Sequence, residues 1–584
     1  STDTFNVAVG HDTGVSITTG IHNTLIGALA GDALTTGFEN VAVGYAALSS
    51  DTLGSKSVAI GRNSLNAQNF TTATDALNVA VGQSAGKSVT TGIRNTLVGG
   101  LAGDSITSGD NNIAIGYAAM SANTLADRNV AIGNEALEAF NITTSTDSYN
   151  VAVGFQAGHA ITTGIRNTLI GGLAGDALTD ADKNVAIGYL ALSGDTLGST
   201  SVAVGMGTLQ NQNFTTATNS FNTALGHEAG NDITFGTVNT LIGGLAGDAL
   251  TEGNNNVAVG YAALGSDTKG DRNISIGSGS LATQNFTTST DAYNVAIGHD
   301  AGNQITTGGF NNLIGGLAGD ALTSGNSNVA IGYASLSTDT LGDRNVAIGH
   351  IALNAQNFTT STDSYNVGVG YQAGASLTTG FRNTLIGSLV GDSLTDADNN
   401  VALGYSALGS DTLGSGAVAI GAGALNTQNF TTATTNYNVG VGLDAGKSIT
   451  TGKEHTLIGG LCGDALTSGD RSVAIGTNAL SADTQGSRNV AVGYDSLKTQ
   501  NFTTGTNAYN VGVGYNTGGS ITTGIHNSIL GGETGSSLTT GESNTAFGYQ
   551  SLRDDTLGSF SVAIGDRALK FQNFTTATSS YNVA

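Results

Sequence analysis

The apolar residues of this chain fall in short islands repeated at a fixed interval. Strings of the type Asn-Val-Ala-Val-Gly begin at Asn6, Asn78, Asn150, Asn222, Asn294, Asn366, Asn438, Asn510 and Asn582, always 72 residues apart. In the first unit related strings begin at Asn23, Asn40 and Ser57, which divides the unit into segments of 17, 17, 17 and 21 residues. No copy carries an insertion or deletion. Constant length marks a stack in which each unit must fit the next. Each island is β-branched and bounded by turn residues, which predicts a short strand. Recurrent glycine and the lack of a 3.6-residue period argue against helix. The chain therefore reads as all-β: one continuous parallel β-solenoid over residues 1–584, with 32 coils in eight repeats. The repeats are 6–77, 78–149, 150–221, 222–293, 294–365, 366–437, 438–509 and 510–581. One strand spacing per coil predicts a rod on the order of 150 Å.

Two slots of the island carry further information. The closing glycine recurs in every coil, from Gly10, Gly27, Gly44 and Gly61 onward. A positive φ or a close backbone approach at a corner accounts for such a requirement. The opening asparagines, stacked at one corner, can form amide ladders along the axis. Within the strand, alternation sends residues one and three to one face and residue two to the other. The middle slot holds Ala8, Leu25, Ala42 and Ala59, and leucine returns as Leu97, Leu169, Leu241, Leu313, Leu385 and Leu457. Both faces are apolar, so both are expected to be buried. The preferred parity places the flanking valines inside the coil. The middle slot then becomes an interface between subunits, because an exposed apolar stripe of that length exceeds what a monomer tolerates.

Composition narrows the function. Charged residues are 11% and hydrophobic ones 39%, which argues against disorder. The net charge of −24 disfavours nucleic acid and keeps a long rod soluble. Apolar runs are too short to span a membrane. Cys462 stands alone and replaces an alanine of the repeat, so it reads as a small buried hydrophobe.

The strings Ser57-Val-Ala-Ile-Gly-Arg-Asn-Ser64-Leu and Asn40-Val-Ala-Val-Gly-Tyr-Ala-Ala47-Leu resemble the YadA-like head repeats of trimeric autotransporter adhesins. The resemblance runs the length of the chain. It implies a left-handed β-roll, three chains around one axis and an adhesive surface role. The coils of 17 and 21 residues are longer than those of the family, and the 72-residue super-repeat is foreign to a simple head. Similar repeats suit phage tail fibres. The expectation is a non-catalytic, extracellular fibre or shaft on a cell or virion surface. It assembles as a homotrimer, reaches a host-surface or glycan receptor, and has no cofactor or metal.

The candidate chemistry is thin. His11, His22, His159, His227, His299, His350, His455 and His526 are scattered and read as solvated surface residues. Strings such as Gly368-Val-Gly370 precede no helix and make no phosphate loop. The row Asp32, Asp104, Asp176, Asp248, Asp320, Asp392 and Asp464 reads as turn capping rather than calcium binding. Asn69, Asn141, Asn213, Asn285, Asn357, Asn429, Asn501 and Asn573 open glycosylation sequons in form; the plainer reading is a turn whose Phe70-type aromatic tucks into a subunit interface. Tyr45, Tyr117, Tyr189, Tyr261, Tyr333, Tyr405 and Tyr549 form an aromatic row suited to packing or sugar stacking. Paired threonines such as Thr18 and Thr19 suggest ice binding, but Asp180 and Glu252 break the series with charge. Both ends fall mid-repeat, so the natural polypeptide is expected to continue with further copies.

Overall fold

The computed structural model describes residues 3–584. Every coil contributes a three-residue strand, as in Val7–Val9, Thr24–Ile26, Val41–Val43 and Val58–Ile60. Successive strands pair in parallel with no slip: Ala8 lies beside Leu25, Leu25 beside Ala42, Ala42 beside Ala59, and Ala59 beside Ala80. The extra residues of the longest coil allow a second, shorter pairing once per repeat, as between Gly54–Ser55 and Thr74–Asp75. The described residues are all-β, a parallel β-solenoid. The chain divides into two compact units, Ser1–Tyr293 and Asn294–Ala584, each holding four of the 72-residue repeats.

The parity of the strand is the reverse of the expected one. The middle residue points into the coil of its own chain, and the flanking valines and isoleucines point out. Leu25, Ala42, Ala59, Leu97, Leu169, Leu241, Leu313, Leu385 and Leu457 have no exposed surface in a single chain. Ala8, in the first described coil, is exposed. The middle slot therefore cannot form the surface between subunits that the sequence pattern suggested. The physical reason is the width of the coil. Its interior is also filled from the opposite wall, by Ile17 and Leu34 in the first two coils and by Leu48 and Leu65 in the next two. Across from Leu25 the wall carries Gly31, where an added Cβ would meet the leucine Cδ2 at 3.0 Å. Across from Ala42 and Ala59 it carries buried Leu48 and Leu65. Large and small side chains thus alternate between walls to keep the cross-section constant. Leu48 takes a φ of +53° to do so, a left-handed conformation costing roughly 1–2 kcal/mol.

The corner glycine behaves as expected. Gly10, Gly27, Gly44 and Gly61 have φ of +142°, +127°, +134° and +132°. The constraint is double, because the same glycines stack on one another. At Gly260, φ is +137° and an added Cβ would lie 2.6 Å from the carbonyl carbon and oxygen of Gly277. Replacing Gly260 with alanine should destabilise the Ser1–Tyr293 unit by about 2 kcal/mol or more, since strain and overlap with backbone act together. Urea denaturation of the variant checks this; a change below about 0.5 kcal/mol would contradict the corner geometry.

Candidate functional site

The repeat concentrates its polar side chains inside, at two places. The first is the residue that opens each strand. Asn23, Asn40, Asn78, Asn95 and their equivalents are completely buried. In the 17-residue coils the amide holds one backbone N–H and one backbone carbonyl; in the 21-residue coil the Nδ2 group turns elsewhere, as from Asn129 to Asn112 Oδ1 at 3.1 Å. Asn23 Oδ1 accepts the Asn40 backbone N–H at 3.0 Å, and Asn23 Nδ2 donates to the Gly37 carbonyl at 2.9 Å. Asn95 does the same with Asn112 and Gly109, at 2.9 and 2.8 Å. Amide–amide contacts along the ladder add to this in some coils, as from Asn23 Nδ2 to Asn6 Oδ1 at 3.2 Å. Where the ladder residue is Ala417, no side chain can accept the next amide, and Asn436 Oδ1 receives Asn438 N–H instead at 2.9 Å.

The second place was not recognised in the sequence. In the third coil of a repeat, Asp51 takes the interior slot that Leu34 fills one coil earlier, and Gln68 takes it one coil later. Gln68 Nε2 donates to Asp51 Oδ2 at 2.6 Å and to Ser57 Oγ at 3.0 Å. Asp51 Oδ1 accepts the backbone N–H of Gly54 and of Phe70 at 3.0 and 3.3 Å. Asn78 Nδ2 closes the set on Gln68 Oε1 at 2.9 Å, which ties the node to the ladder. The same arrangement recurs at Asp195 with Gln212, Asp339 with Gln356, Asp411 with Gln428 and Asp483 with Gln500. One repeat departs from it. There Phe140 replaces the glutamine, and the aspartate becomes neutral Asn123. Asn123 keeps the local turn, accepting from Ala126 N–H at 3.0 Å, and Phe140 is fully buried. The charge is present where an amide donor meets it and absent where none does, as the cost of an unpaired buried charge requires.

Other side chains fall as follows. The Asp32 row is half-buried, and burial raises these carboxyl groups above their ordinary value. One oxygen each of Asp32, Asp176, Asp320 and Asp464 has no hydrogen-bond partner. Asn69 belongs to a threonine column: Thr52 Oγ1 donates to Asn69 Oδ1 at 3.0 Å, much as Thr18 Oγ1 donates to the Thr35 carbonyl at 3.1 Å. Phe70 is buried within its own chain rather than left for a subunit interface. The Tyr45 row is exposed beside the outward strand face. Cys462 is buried and free, and burial pushes its thiol up to about 12. Among the described residues, Glu135, Glu138 and His159 bring three potential ligand atoms together. All three residues are already engaged: His159 Nε2 lies 2.8 Å from Glu138 Oε2, and Glu135 Oε2 accepts from Gln156 Nε2 at 2.7 Å. His455 is not a surface residue: it is completely buried on the ladder, because its ring reproduces the two hydrogen bonds of asparagine.

No protein-family model matches the chain, and no curated protein matches it either.

Asp339 tests the node. Burial raises its carboxyl above the ordinary range, against the lowering effect of the Gln356, Phe358 and Gly342 hydrogen bonds. An acid raised on folding stabilises most below its unfolded pKa, near 3.9, and loses that contribution as pH rises through the folded value. Gln356→Leu should therefore cost about 3–5 kcal/mol at neutral pH and less at pH 4. Adding Asp339→Asn should recover most of the loss, following the Asn123 and Phe140 pair. Denaturation of both variants at the two pH values checks this.

Proposed function

We propose that this chain is a non-catalytic structural shaft, a segment of an extracellular filament that displays or spaces other parts on a cell or virion surface, and that it associates with copies of itself, as a homotrimer. The observation that carries the reading is how its side chains are allotted. The buried amides, the Asp51–Gln68 node and the threonine column all act between one coil and the next. The outward strand face is the other part. Its third slot is apolar in every described coil, as in Ile386, Leu403 and Ile458, which are 37%, 43% and 40% exposed. Its first slot is valine, isoleucine or threonine apart from Asn312 and Ser528. No charge interrupts either column, although the chain carries a net charge of −24. Exposed tyrosines such as Tyr333 and Tyr405 widen the face. An uncharged apolar column repeated along a sheet is an association surface. The subunit contact is thus assigned to this face and not to the middle slot.

Sedimentation tests the assignment. The native chain should sediment as a trimer at micromolar concentration. Leu403→Glu with Ile458→Glu should weaken association while leaving the far-ultraviolet spectrum unchanged, because both side chains lie outside the coil. A native chain that remains monomeric would contradict the reading.

A further inference from the structure

The ladder of buried asparagines has one titratable member. Among the described ladder positions asparagine predominates, serine occurs at Ser57, Ser201, Ser472 and Ser561, alanine at Ala417, and histidine at His455. His455 lies in the Asn294–Ala584 unit, between Asn438 and Ser472. Its backbone N–H donates to Asn438 Oδ1 at 3.0 Å, as an asparagine in this slot would. Its ring continues the pattern. Nε2 lies 2.5 Å from the Gly469 carbonyl oxygen, and Nδ1 accepts the Ser472 backbone N–H at 3.3 Å. Asn383 makes the matching pair, from Nδ2 to the Ala397 carbonyl at 2.7 Å and from Asn400 N–H to Oδ1 at 3.0 Å.

These partners fix the protonation state. A carbonyl at Nε2 requires the proton there, and an N–H at Nδ1 requires a lone pair there. Only the neutral ring fits both. A second proton would set Nδ1–H against Ser472 N–H, two donors face to face, in a slot with no exposed surface. The charged groups around the slot do not reverse this. Glu454 on its own turn and Asp470 on the next favour a cation, but Glu454 lies at the surface and is engaged by Arg471 at 2.7 Å, and Asp470 accepts the Lys453 backbone N–H at 3.0 Å. The preceding coil presents neutral Asn436 and Asn438. The following coil presents Ser472 and, beyond it, Asp483, whose carboxylate is engaged by Gln500 at 2.6 Å. Burial holds the ring below its ordinary value.

We propose that His455 is an acid-opened latch: neutral, it joins the coils of Asn438 and Ser472; protonated, it leaves its slot and the backbone around residues 453–475 opens. The proton comes from solvent and no bond is broken. A base whose folded pKa is depressed contributes stability that is complete above its unfolded value, about 6.5, and is lost as pH falls below it. Asp339 and Asp483, whose carboxyl groups burial raises, respond in the opposite sense, so acid sensitivity confined to this coil is the signature of the histidine.

Hydrogen exchange of the full chain, read by mass spectrometry at pH 7.5 and pH 5.0 and corrected for the intrinsic pH dependence, tests the latch. Peptides spanning 453–475 should lose protection by up to about tenfold per pH unit below 6.5. Peptides spanning the equivalent coil at 381–403, where Asn383 holds the slot, should not. His455→Asn should abolish the difference. Should that variant fail to fold, the comparison of the two coils within the native chain still decides. Equal pH dependence of the two coils, or loss of protection that persists in His455→Asn, would overturn the proposal.

Discussion

Everything in this fold depends on the hydrogen bonds that a buried asparagine makes to the backbone of adjacent coils. A solenoid turns a corner once per strand, and at a corner the backbone leaves the sheet while still buried. Its N–H and C=O groups then need partners that the strand ladder does not supply. Asn23 supplies both, for Asn40 N–H and Gly37 C=O. An amide donates and accepts at separate atoms without carrying a charge, as the neutral ring of His455 also does. The 17-residue interval follows, because each asparagine must reach the same atoms one coil on. Across the 21-residue coil the accepting half of the contact persists, as from Asn150 N–H to Asn129 Oδ1 at 3.0 Å.

The other features serve the same stacking. The corner glycine lets successive backbones approach more closely than any Cβ permits. The Asp51–Gln68 node fills an interior slot at the longest coil, where the chain must span a different interval, and ties the ladder to the Gly54 turn. Buried polar groups of this kind contribute modestly to stability, and leaving one unpaired is expensive. Their effect is to forbid alternative registers. A register that separated Asp51 from Gln68 would leave the carboxylate without its amide donor in the interior.

Much of the fold was legible in the sequence, because a strict period projects directly onto a stack. The repeat boundaries, the short strands and the corner glycines are all readable from spacing. The inward face was not. Valine outsizes alanine, so Val7-Ala8-Val9 suggests valine inside; the structure shows that inward space is set by the opposite wall, through Leu48 and Leu65 at backbone angles that leucine rarely adopts. The proposed subunit contact accordingly lies on the valine and isoleucine columns rather than on the Leu25 row. His455 looked like a surface residue because histidines elsewhere sit in polar slots. Its offset in the repeat, identical to that of Asn23 and Asn95, was the available signal. The acidic node also left a trace, since aspartate and glutamine change together at Asn123 and Phe140.

The most direct measurement is the stability of an Asn383→Leu variant. Leucine keeps the branched outline of the side chain and removes its contacts to the next coil, leaving Asn400 N–H and Ala397 C=O buried without them. Each orphaned group costs about 1–3 kcal/mol. Local hydrogen exchange across residues 397–403 should show a loss of at least about 2 kcal/mol, on that account. Unchanged protection would mean that the coils are held by apolar stacking alone and that the asparagine ladder is incidental.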